Sequence, residues 1–338
     1  MHRTTSSLIL LLTLCPSAVH ATDKTAVLLT ASTPLPEITG GDFDHFVADI
    51  KNNKLYVVTE DYASIEVFDL QSGGHLRSVR GVVKSPRKIA LLEDKGLLMV
   101  ADAGSSACVF LDVRDFHEIA RVPLEAGPDA GAYDSKARTF YVGNGGRAAH
   151  EAFAYISAIN VDTFQVTNRI RVEASTLKTL ILDNEGRKLY VTMRDKNQVG
   201  VIDLKKKEVV KTWSNPAFHI DSAMAYDPEH RRLFVGDRKP GKLVVLDADN
   251  GQVVNTLPIG DTSDDMAYDS ARNRIYISSD AGLDVVAQDS HNTYRLLQHA
   301  DTLGGKVSIY VPSLNRIYVA HTKGPLAPEA GLQIFKVL

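Results

Sequence analysis

The stretch HRRLFVGDR, His230–Arg238, decides the fold. Its apolar centre, LFV, is entered from a basic turn and left through polar residues, the pattern of one short strand between two loops. The phrase returns six more times, as KLYVVTED from Lys54, GLLMVADA from Gly96, RTFYVGNG from Arg138, RKLYVTMRD from Arg187, NRIYISSD from Asn273 and NRIYVAHT from Asn315. Aligned on their first strand residues, the copies begin at Leu55, Leu97, Thr139, Leu189, Leu233, Ile275 and Ile317, with steps of 42, 42, 50, 44, 42 and 42 residues. A period of about 40–45 residues is that of a four-stranded propeller blade. Helical repeats of similar length need long segments of 3.6 periodicity, and the chain has none.

Each unit divides into four short β-rich pieces. In the fifth these are SAMAYD, RRLFVG, KLVVLDA and QVVNTLPI, with the hairpin turn DADNG between the third and fourth. Third strands end at Asp69, Asp112, Asp203 and Asp247, where a carboxylate is suited to capping the N–H groups of a turn. The last unit supplies only three strands and ends at LQIFKVL, while a spare strand lies near Val27–Thr30. The expected fold is therefore an all-β, seven-bladed propeller, its ring closed by an N-terminal strand that completes the last blade.

The first residues read as a secretory leader over 1–21: Arg3, an apolar run from Leu8 to Leu14, then Val19-His20-Ala21 before the cut. That run is shorter than the roughly 20 residues a membrane-spanning helix needs. The mature chain, from Thr22, is expected to be a single propeller domain over 22–338, monomeric, and periplasmic or secreted. It keeps Cys108 as its only cysteine, so no intrachain disulfide staples it. A formal net charge of −3 argues against a broad basic surface for nucleic acid or anionic lipid.

The segment LYVTMRDKNQVGVIDLKKKEVVKTW, from Leu189, resembles the YVTN-type propeller repeat, in which an LYV strand is followed by a VID strand and a turn. Across its mature length the chain resembles exported YncE-like proteins, including FDHFVADIKNNKLYV and GKLVVLDADNGQVV. The resemblance implies the propeller and export. It implies no single activity.

In a propeller, the loop into each first strand and the loop out of each second strand open on one face around the channel. Counting equivalent positions gives an entry ring of His45, Arg87, Asp129, Lys178, Ser222, Asp264 and Lys306. The exit ring is Glu60, Asp102, Asn144, Arg194, Arg238, Asp280 and Thr322. These charges either pair across neighbouring blades or receive a small polar ligand or a protein partner, with guanidinium forks suited to carboxylate or phosphate. Of the adjacent Asp264 and Asp265, strand alternation lets at most one face the channel. His45, His150, His219 and His321 fall near the same face and are the candidate ligands for a divalent metal, although no HxH, HExxH or CxxC spacing is present. The blade-three segment GNGGRAAHEAFAY is longer than its counterparts and is either a lid or a surface insertion. Two functional readings stand: a binding module acting through the polar mouth, and a metal-assisted lactonase-, hydrolase- or lyase-like enzyme.

Overall fold

Alternating apolar and polar residues in short runs, broken by Asp-, Asn- and Gly-containing turns, produce strands of four to nine residues and almost no helix. The computed structural model describes residues 25–216, 218–219 and 222–338; the leader read at 1–21 lies outside them. Seven four-stranded antiparallel sheets follow one another around a ring. Blades one to six occupy 43–80, 86–123, 131–172, 177–214, 224–258 and 263–300. Blade seven is assembled from both ends of the chain, in the order Val27–Leu35, Ala330–Val337, Arg316–His321, Val307–Val311.

The closing strand runs from Val27 opposite Val337 to Leu35 opposite Ala330, longer than the Val27–Thr30 segment expected for it. Blade six adds a clasp, because Gln298 Oε1 accepts from the N–H groups of Ala26 and Val27 at 2.6 and 2.9 Å. The first and last described strands are thus held by pairing, and the last blade presents no open third-strand edge.

The recurrent aromatic of the second strand has a packing cause. Tyr56, Tyr190, Tyr276 and Tyr318 are fully buried between blades, and each such burial contributes roughly 1.5–3 kcal/mol. Tyr190 donates its hydroxyl to the Ala248 carbonyl of the next blade at 3.0 Å, and Tyr318 donates to Leu70 across the ring closure. The aspartates ending third strands are caps: Asp69 accepts from Ser72 N–H at 2.8 Å, and Asp203 from Lys205 and Lys206 at 2.9 Å.

Two registers differ from the sequence count. Lys54 faces Asp69 in blade one, whereas Leu97 faces Asp112 in blade two and Thr139 faces Asn160 in blade three. The counterparts of Leu55 are therefore Leu98 and Phe140, one place beyond Leu97 and Thr139. In blade two the apolar Leu97 and Met99 on either side of Leu98 make the slip invisible in the phrase itself.

First strands carry a feature that positions the site. In blades one, two, four and six the ladder to the second strand is interrupted by a bulge, as between Phe43 and Phe46 or Leu177 and Leu180. An extra residue breaks the strict in–out alternation, so that two consecutive side chains can turn toward the axis.

Candidate functional site

The seven innermost strands converge on a cavity of about 240 Å³ at the mouth of the channel. One residue from the same place in every blade lines it: Asp44, Arg87, Asp129, Lys178, Ser222, Asp264 and Lys306. Sequence counting puts His45 in the blade-one place, but Phe43 pairs with Thr59 as Leu177 pairs with Met193, so Asp44 is the counterpart of Lys178. The repeated frame Phe43-x-x-Phe46, Pro86-x-x-Ile89, Leu177-x-x-Leu180 was the signal that identifies it.

Charge alternates around this ring: negative at Asp44, positive at Arg87, negative at Asp129, positive at Lys178, neutral at Ser222, negative at Asp264, positive at Lys306. Seven places cannot alternate all the way round. A charge of either sign in blade five would face its like in blade four or six, and Ser222 leaves that place neutral.

Most of these charges are already paired. Lys178 Nζ lies 2.5 Å from Asp129 Oδ2, and Lys306 Nζ lies 3.0 Å from Asp42. Arg87 pairs with Glu60, and Arg238 reaches Asp264 more loosely at 3.5 Å. Burial works to raise the Asp129 carboxyl, but the charge and hydrogen bond of Lys178, with Arg87 beyond, hold it below its ordinary value. Asp44 is different. Among the described residues no lysine or arginine lies within ion-pair distance of it, and its basic neighbour is His45 Nε2 at 3.4 Å. Only 15 % of its side chain is exposed. Burial, then the negative charges of Asp129, Glu60 and Asp264, keep its carboxyl well above the usual carboxylate range.

A second layer lies beneath. His45 Nδ1 meets Asp265 Oδ1 at 3.0 Å, a contact from blade one to blade six that passes over blade seven. Asp265 also accepts from the Ser308 N–H at 2.9 Å, and the His45 pair helps keep it ionised against the effect of burial. Lys88 stands at the same depth with no ion pair among the described residues; burial pulls its amine below the ordinary lysine value against the attraction of Asp265, Asp44 and Asp129. Asp264 and Asp265 therefore both turn inward, contrary to the alternation argument. The bulge between Ser263 and Asp265 is the reason.

The other expected residues divide. Glu60 and Arg238 line the cavity with the ring, as does His45. Asp280 and Thr322 border a smaller one of about 50 Å³ beside Asp42 and Lys306. Arg194 stands behind Ser222, to whose Oγ it donates at 2.8 Å. Asp102 and Asn144 belong one place earlier than the exit ring. Both are buried, and Asp102 caps the N–H groups of Lys84 and Ser85. Asp237 is likewise fully buried and accepts from the His219 N–H.

The four histidines do not form a cluster: among the described residues there is no group of three or more His, Cys, Asp or Glu side chains able to hold a metal. Asp44 and Asp265 approach opposite nitrogens of His45, which does not converge donors on one point. His321 is buried beside Gly331, with burial lowering its pKa, while His150 is exposed at the end of the blade-three turn. Cys108 is buried in a third strand, and burial pushes its thiol far above the normal range. The blade-three insertion forms a tight turn over Gly146–Ala149, pinned by the Arg147 N–H to the Ser175 carbonyl of blade four at 2.9 Å. It borders a cleft beside the mouth, about 430 Å³ in volume, that shares Arg87, Asp129 and Lys178 with it.

No family model matches the chain, and no curated protein matches its sequence. Solved structures are similar in fold. Hydrazine synthase of Kuenenia stuttgartiensis superposes with a TM-score of 0.70 at 16% identity, over 91% of this chain and 96% of that one. A chain of the mitotic checkpoint complex gives 0.73 at 15% identity, over 98% and 99%. These likenesses carry the seven-bladed architecture and nothing finer. Among the described residues no helix is long and apolar enough to cross a membrane.

Proposed function

We propose that the chain is an exported binding propeller that takes a small polar ligand at its channel mouth, with Asp44 receiving a cationic group. The observation that carries this is the isolation of Asp44. Every other carboxylate lining the cavity has a lysine or arginine within 3.5 Å, whereas Asp44 has only His45, at 3.4 Å, and faces three like charges with Lys178 acting on it from beyond ion-pair distance. An ionised carboxylate removed from water without a counter-charge is costly, and a ligand ammonium seated there offsets that cost. The cavity is small beside ordinary ligand pockets of about 300–1,000 Å³, which suits a compact group better than a protein surface. The leader read at 1–21 and the YVTN-like phrases support export and kinship with YncE-like propellers.

Ethylammonium is the simplest probe. Titrated into the purified mature protein and followed by calorimetry or by amide shifts of Asp44 and His45, it should bind the wild type and lose about tenfold or more in affinity in Asp44→Asn. Equal binding to both proteins would end the proposal.

A further inference from the structure

The mouth is unbalanced at a second point, and the imbalance has the opposite sign. Arg194 is fixed in the backbone by its N–H to the Thr176 carbonyl at 2.9 Å. Its Nη2 donates to Ser222 Oγ, itself a donor to Asp264 Oδ1 at 3.1 Å. Arg194 has no carboxylate within ion-pair distance among the described residues, and its Nε is buried with no acceptor at all. Burial, then the nearby charges of Arg238 and Arg147, depress this guanidinium. Arg147, on the pinned blade-three turn, also has no carboxylate partner among the described residues. Around it, Ser175 and Thr176 of blade four border a pocket of about 80 Å³, and the same Arg147 borders the 430 Å³ cleft that opens into the mouth.

We propose that the ligand is two-ended: beyond the cationic group at Asp44, it carries a carboxylate or phosphate held by Arg194 and Arg147 where blades three, four and five meet. This rests on the Asp44 reading for one end only. The argument for the other end is that Arg194, unlike the exposed Arg147, is largely desolvated with no ion pair among the described residues, so an oxyanion at its outer nitrogens offsets a cost that water does not. A planar guanidinium left with open donors is a receptor for a bidentate oxyanion. The neutral place in the ring, Ser222, is what leaves Arg194 uncompensated. An aspartate there would supply from within the protein the charge that the proposal assigns to the ligand.

That gives the test. Acetate and inorganic phosphate probe the anionic end alone, read from the amide shifts of Ser175 and Thr176. Both should shift these amides in the wild type and in Asp44→Asn, and neither should in Ser222→Asp. Arg147→Ala, a change on an exposed turn that should fold normally, should weaken both by about tenfold. A ladder of ω-amino acids, from glycine through 4-aminobutyrate and 6-aminohexanoate to 8-aminooctanoate, then tests whether the ends act together. Affinity should peak at an intermediate length and exceed that of ethylammonium or acetate, and the peak should vanish in Ser222→Asp. Silent amides, or equal anion binding in wild type, Arg147→Ala and Ser222→Asp, would overturn the proposal whatever ethylammonium does. Anion binding with these signatures sustains the anionic end even if ethylammonium ignores Asp44, an outcome that sinks the cation reading and with it the two-ended ligand. Comparing acetate with phosphate decides which oxyanion the site prefers.

Discussion

Lys178→Met should destabilise the protein through the charge it strands. The wild-type ammonium lies 2.5 Å from Asp129 Oδ2, with the two side chains 25 % and 27 % exposed. Breaking a fully buried pair from one side costs about 3–5 kcal/mol, and breaking an exposed one about 0–1. A pair three-quarters sheltered falls between, at about 2 kcal/mol. At this chain length that lowers the melting temperature by about 3 °C. The sign with pH follows from Asp129, whose folded-state pKa is depressed. Its pairing stabilises above the unfolded carboxylate value of about 3.9 and is lost as pH falls through the lower folded value. In Lys178→Met the carboxyl loses its partner and its folded pKa swings upward. The deficit is then largest near pH 7 and narrows below about pH 4, where the unfolded chain is protonated too. Melts followed by circular dichroism at pH 7 and pH 4 measure both. Lys178→Met/Asp129→Asn, which removes the stranded charge, should recover most of the loss at pH 7. A single variant as stable as wild type at neutral pH, or a double variant no better than the single, would refute the reasoning.

Asp44 should behave in the opposite sense. Its folded pKa is raised, so its contribution is fully present below about 3.9 and is lost as pH rises through the folded value; Asp44→Asn should gain on wild type in urea melts over that rise, and a constant gap would contradict it. Gly146→Ala should cost about 1–3 kcal/mol, because φ is +62° and the added methyl would land on the Ser175 carbonyl; unchanged stability with an unchanged Arg147 environment would argue against the pinned turn. Deleting 25–35 should bare the edge of Ala330–Val337 and yield associated species on size exclusion, whereas a stable, monodisperse product would show that ring closure does not need the strand.

The architecture was open to sequence reading because it is written seven times, and errors in single copies do not disturb a period. The site was not, because it depends on single places. The blade-one bulge shifts the ring from His45 to Asp44, and two adjacent polar residues give no hint of which one the ladder admits. Counting from Leu97 and Thr139 made the same one-place slip, hidden in blade two by apolar neighbours, and put the buried Asp102 and Asn144 on the rim. Pairing was still less legible. Lys178 and Asp129 are 49 residues apart, and only the closed ring shows that they meet, whereas among the described residues Asp44 has no lysine or arginine and Arg194 no carboxylate within ion-pair distance.

The parity of the ring ties these observations together. A closed ring of alternating charges is self-neutralising when its members are even in number; with seven blades one place must stay neutral, and here it is Ser222. The defect cannot be confined to that residue. Asp264 is shared between Ser222 Oγ at 3.1 Å and Arg238 at 3.5 Å, and Arg194 is left with a hydroxyl where its neighbours have carboxylates. On the far side of the mouth, Arg87 and Lys178 are committed to Glu60 and Asp129, so Asp44 is left with His45 as its one basic neighbour at ion-pair distance among the described residues. An excess of each sign thus stands on its own side of one small cavity. Pairing within the ring does not remove it, because Arg87, Lys178 and Lys306 are held by nearer carboxylates and Lys88 stays beyond ion-pair distance of Asp44. A molecule carrying both signs can remove it, and this is why a zwitterion fits the mouth better than a simple cation or anion does.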